Sequence, residues 1–185
     1  MNLHPIVVHF PVALLTVYAL FELIRFRKLA AQSWWFPMKA VLVMVGGVGA
    51  LAARQTGELI ENEFQRGGVM GRVLEAHQLA ANATIAVFGT IAAAYLVTWV
   101  LRSAWGVPAR PDESGRSGGR IAASPVWGAT ARFVGAIAWF IMRPPVIVVG
   151  ALFGLFLVTV TGGLGGILAY GPDVDPVTKL LFSFF

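Results

Sequence analysis

Four apolar stretches, each about as long as a lipid bilayer is thick, constrain this chain more than any other feature. They run from Pro5 to Ile24, Trp34 to Ala53, Ala76 to Leu101 and Val146 to Ala169, with almost no charge in their interiors. A helix needs about 20 predominantly apolar residues to cross the hydrocarbon core. Inside that core each backbone N–H and C=O must find its partner within the protein, which a helix achieves within one segment. Composition agrees: 57% of the 185 residues are hydrophobic and 12% are charged, where a soluble domain carries about a quarter charged residues. Too few polar side chains remain to cover a water-facing surface. The expected fold is an all-α membrane protein, a four-transmembrane-helix bundle forming a single membrane domain over residues 1–185.

Charge placement predicts the topology. No basic group precedes the first span, and Arg25, Arg27 and Lys28 follow it, which argues against a cleaved signal peptide. With Lys39 just inside the second span, these residues place the first loop in the cytoplasm by the positive-inside rule. The loop from Arg54 to Glu75 balances Arg54, Arg66 and Arg72 against Glu58, Glu61, Glu63 and Glu75. The third loop carries Arg102, Arg110, Arg116 and Arg120 and is rich in Gly, Pro and Ser over 104–124, the composition of a flexible, solvated segment. Both termini are therefore expected outside, in the cytoplasmic (inner) membrane of a bacterium. The apolar segment 126–142 is short for a span and carries Arg132, so it reads as an interfacial helix anchored by Trp127 and Trp139. The net charge of +5 belongs to these flanks and predicts no nucleic-acid partner.

Glycines recur where helices would touch: Gly46, Gly47 and Gly49 in the second span, and the G-x-x-x-G pairs Gly150/Gly154 and Gly162/Gly166 in the fourth. Small residues at this spacing let membrane helices approach closely. The chain has no cysteine, which removes thiolate metal sites, iron–sulfur ligation and covalent haem attachment. Its three histidines, His4, His9 and His77, all fall at the predicted outer end, at the starts of two helices running in the same direction. Five positions place His9 about 140° around the helix from His4, so one of them is expected to pair with His77. His9 lies deeper and stands beside Pro11, whose kink would aim it inward, while His4 sits nearer the headgroups. Two imidazoles from separate helices of a bundle suit a non-covalent b-type haem, and Ala80, Ala81 and Thr84 leave room beside His77. The spacing alone fits equally a zinc or copper site completed by Glu58 or Glu75.

The opening His4-Pro5-Ile6-Val7-Val8-His9-Phe10-Pro11 resembles the start of the bacterial membrane family catalogued as domain of unknown function 2231. Thr56-Gly57, His77 and the closing Thr161-Gly162-Gly163-Leu164-Gly165-Gly166 with Ala169-Tyr170-Gly171 resemble it too. The chain departs from that pattern in its Arg-rich third loop, in the extra segment 127–142 and in Gly163, where a bulky residue is usual. The resemblance implies a four-helix domain with its histidines on the outer face. It also implies redox company, since relatives are often joined to Rieske or cytochrome c modules.

These readings converge on a small b-type cytochrome-like electron-transfer protein with His9 and His77 as axial haem ligands and His4 as an alternative ligand or propionate contact. Its expected partners are an outer-face cytochrome or Rieske protein, a quinone, or a membrane complex. The alternatives are a non-catalytic membrane subunit or assembly factor, and a metal or solute transporter. No nucleophile elbow, Walker loop or H-E-x-x-H occurs, so the chain reads as an electron-transfer or accessory subunit rather than a self-standing enzyme.

Overall fold

Each stretch that reads as a span is a helix, and three of them, of 26, 36 and 27 residues, outrun the hydrocarbon core. The computed structural model describes residues 4–24, 26–60, 67–103 and 125–185. Its helices are α1 (His4–Leu23), α2 (Arg27–Ala30), α3 (Trp35–Ile60), α4 (Gly68–Ser103), α5 (Pro125–Ile141), α6 (Pro144–Tyr170) and α7 (Pro176–Phe182). Among the described residues, α1, α3, α4 and α6 are long and apolar enough to cross a membrane. The balanced charges between the second and third spans belong largely to helical extensions of α3 and α4, because Arg54 and Glu58 pair at 3.0 Å one turn apart and favour continued helix. Arg25, Glu61, Glu63, Arg66, the 104–124 segment and the side chains of Arg102 and Trp127 lie outside the described residues.

The bundle consists of two antiparallel hairpins, α1 with α3 and α4 with α6, joined through α1–α6 and α3–α4 contacts. In the first hairpin Gly57 abuts His4, Gly49 abuts Pro11 and Gly46 abuts Leu15; in the second Gly165 abuts His77, Gly154 abuts Phe88 and Gly150 abuts Ile91. α1 and α4 run in the same direction and meet on the bundle diagonal, where Tyr18 stands edge-on to Phe88 and to Tyr95 with ring centroids 6.1 and 6.0 Å apart.

The inward faces of these two helices share one spacing. His4, Pro11, Leu15, Tyr18 and Glu22 on α1 correspond to His77, Thr84, Phe88, Ile91 and Tyr95 on α4, at offsets of seven, eleven, fourteen and eighteen in both. The two helices thus turn inward faces of the same periodicity while running in the same direction, unlike the antiparallel counterparts of an inverted repeat.

α5 touches α4 only near its end. Gly135 lies against Leu101, and Thr98 donates to the Met142 sulfur at 3.1 Å. The chain turns at Arg143, whose guanidinium stacks 4.0 Å over the Trp139 ring, and Pro144 opens α6 at a position where its missing N–H is harmless.

α6 ends at Gly171, which has φ +90°. The chain then folds back as α7, capped by the Asp175 carboxylate accepting from the N–H groups of Val177 and Thr178. Leu181 occupies the space beside Gly163, where a Cβ would lie 2.5 Å from it. That close approach accounts for glycine at this position. The expected role of the glycines as close contacts holds for Gly150 and Gly154 on α4 and for Gly166 on Thr178, while Gly162 faces open space.

Candidate functional site

The histidine end of the bundle brings together His4 and His77, not His9 and His77. Pro11 is buried against α3, and His9, two residues earlier and about 200° around the helix, is exposed. Its Nδ1–H is spent on the carbonyl of Pro5, one turn back on its own helix. His4 precedes Pro11 by seven residues, about two full turns, and so shares its inward face. It is helical and half-buried. The expectation that Pro11 would aim His9 inward is therefore corrected: the proline itself takes the inward position. His4 lies against Gly57 and Thr56 of α3, and His77 against Gly165 and Thr161 of α6, at the same end of the bundle.

Each of these imidazoles is held by the partner hairpin helix in the same way. The Thr56 hydroxyl donates its only proton to the Ala53 carbonyl at 2.9 Å, so its oxygen accepts from His4 Nδ1–H at 2.9 Å. The Thr161 carbonyl accepts from His77 Nδ1–H at 3.0 Å. A neutral imidazole has one N–H and one lone pair, so donation from Nδ1 puts the lone pair of His77 on Nε2. An Nδ1–H anchored to an oxygen acceptor is the arrangement that orients a ligating histidine and raises its basicity. Gly57 and Gly165 make room for the rings: a Cβ at either would come within 3.0 Å of His4 and 3.2 Å of His77. Thr84 donates to Ala80 at 2.8 Å and lies 3.3 Å from the Thr161 hydroxyl, so the small residues beside His77 serve close α4–α6 packing.

Among the described residues no group of three or more His, Asp or Glu side chains converges as a metal site would require. Glu58 and Glu75 are exposed, and Glu58 is paired with Arg54. The mixed histidine–carboxylate site anticipated as an alternative does not assemble from these residues.

A second polar cluster, missed from the sequence, sits at the opposite end. Glu22 is 2% exposed and accepts from Tyr18 at 3.0 Å, from Tyr95 and from Lys39 at 2.9 Å. Lys39 lies over the rings of Trp35 and Tyr95, turned into the bundle rather than toward the loop. A charge pair within a span is expensive unless every donor and acceptor is satisfied, and no described buried side-chain nitrogen or oxygen lacks a partner. The cluster ties α1, α3 and α4 together. Its signal was the single acid inside the first span, one turn beyond a tyrosine.

Comparison with family models, with curated proteins and with solved structures finds no match for this chain. Fold and site thus define a class, an all-helical membrane bundle with two anchored imidazoles at one end.

Proposed function

We propose that the chain is a small membrane electron carrier of the b-cytochrome kind, with His4 and His77 as the two protein ligands of a haem at the histidine end. The observation that carries this reading is the donor set. Two imidazoles on separate helices, each with its Nδ1 held by an oxygen of the neighbouring hairpin helix, stand at one end of the bundle, and no group of three or more potential ligands forms among the described residues. Zinc and copper sites draw three or four ligands from the protein. A haem, whose macrocycle supplies its own donors, would need only two imidazoles, His4 and His77, from the protein.

When bound, haem b would supply one-electron chemistry. The chain's own contribution is orientation. Thr56 and Thr161 hold the tautomers, and Gly57 and Gly165 let the rings lie flush against α3 and α6. Placement of the histidines at one end, away from the midplane, suits exchange with a cytochrome, a Rieske protein or a quinone at the outer surface of a bacterial inner membrane. The same placement disfavours transport, which uses a midplane site.

The test is a visible spectrum of detergent-purified protein made with ample haem, before and after dithionite. A Soret band with a sharpened reduced α band is expected. His4→Ala and His77→Ala should each abolish the low-spin spectrum, while His9→Ala should keep it. Absence of Soret absorption in the wild-type protein overturns the reading, and zinc or copper content then separates a metal site from an accessory role.

A further inference from the structure

The exposed face of α4 differs from the exposed faces of the other three spans. Phe10 and Val17 on α1, Val45 and Val48 on α3, and Phe153 and Phe156 on α6 are bulky and apolar, as lipid contact favours. On α4 the exposed positions from Leu79 onward are Leu79, Asn82, Ala86, Gly89, Thr90, Ala93, Leu96 and Val100, and all but Thr90 fall at alternating intervals of three and four. The centre of this face is small, and a Cβ at Gly89 would meet nothing within 4 Å.

Asn82 is the decisive residue. Its amide makes no hydrogen bond among the described residues. It lies five residues, about 7.5 Å, further into the bundle than His77. His77 shares its end of the bundle with His4, the first residue of the 20-residue span α1. At 1.5 Å per residue α1 just crosses a ~30 Å core, so Asn82 lies inside the hydrocarbon. An unpaired amide facing lipid costs several kcal/mol relative to one that is hydrogen-bonded.

We infer that this face of α4 packs against the same face of a second copy of the chain, in a parallel two-fold dimer whose axis is the membrane normal. A two-fold places the two Asn82 amides at equal depth. Each amide is both donor and acceptor, so the pair can satisfy itself reciprocally. Intervals of three and four are the seam of a two-helix coiled coil, where one buried asparagine fixes register and pairing. Ala86, Gly89 and Ala93 let the two backbones approach closely, which drives association where lipid supplies no hydrophobic effect. The seam uses no residue of the histidine site, so it stands or falls independently of haem binding.

The chain has no cysteine, so a single introduced thiol reports its own contacts. In vesicles of purified full-length protein, Ala86→Cys should give a band of doubled mass on mild oxidation. Val48→Cys and Phe156→Cys, on faces outside the seam, should not. Asn82→Val should weaken dimerisation by about 5- to 30-fold, read by dilution of fluorescently labelled protein in lipid. Gly89→Leu should weaken it further, with far-UV circular dichroism unchanged because the face touches nothing within its own bundle. The inference is overturned if Ala86→Cys cross-links no better than the controls, or if Asn82→Val leaves the dissociation constant unchanged. A cross-link in native membranes to a protein of different mass in place of the doubled band would also overturn it.

Discussion

Gly154→Ala is the sharpest test of how the α4–α6 hairpin is held. A single added Cβ would lie 2.6 Å from Phe88 Cζ and 2.8 Å from Cε2, well inside the ~3.5–4.0 Å of an ordinary carbon contact. Phe88 is fully buried and edge-on to Tyr18, so its ring has little room to yield. Either the ring leaves its rotamer or α4 and α6 separate locally, and overpacking of this kind costs about 1–3 kcal/mol. At about 2–4 °C per kcal/mol for a chain of this size, the loss is readily seen by thermal denaturation in detergent followed by circular dichroism. Gly47→Ala is the matched control, since a Cβ there meets nothing within 4 Å, and the gain in helix propensity alone should leave it neutral or slightly stabilised. Gly154→Leu should lose more than Gly154→Ala. Phe88→Leu should partly relieve Gly154→Ala, giving a double-mutant cost below the sum of the singles. If Gly154→Ala is as stable as Gly47→Ala, the close approach of α4 and α6 at this point is wrong.

Three further outcomes follow from the same geometry. Glu22→Gln and Lys39→Met should each destabilise the bundle by about 3–5 kcal/mol, because each leaves a charge unpaired inside a span, while the double variant should lose less than the sum; additive losses would show that the two groups do not interact. Reporter fusions at residues 68 and 115 should lie on opposite sides of the membrane, with residue 68 outside; the same side for both would refute the topology. Cysteines at residues 128 and 142 should both be labelled from the cytoplasmic side, as befits a 17-residue helix too short to span; outside labelling of residue 142 would make α5 a fifth span.

The histidine site was legible in its parts but not in its pairing. A helical offset of 140° makes it clear that His4 and His9 face different ways, yet it does not say which of them faces inward. That choice belonged to Pro11, which packs on Gly49 and carries His4 inward with it. The buried Glu22–Lys39 pair was hidden for a similar reason. Lys39 reads as a loop charge until the α1–α3 packing places it beside Glu22. The return of the chain as α7 carried its own signal in Asp175-Pro176 and Thr178, a helix-capping pattern.

Hydrophobic length alone determined that four helices are long and apolar enough to cross a membrane, because backbone hydrogen bonding in lipid admits few alternatives to a helix. Glycine spacing announced close helix contacts, since only small residues permit them. Which glycine receives which side chain was decided by the tertiary structure: Gly154 takes Phe88, Gly46 takes Leu15, Gly163 takes Leu181, and Gly162 takes nothing. The physical reason is rotational. A span's length is a sum over its residues, whereas its angle in the bundle depends on the surfaces of three neighbours at once. His4, Glu22 and Asn82 acquire their different surroundings from that angle.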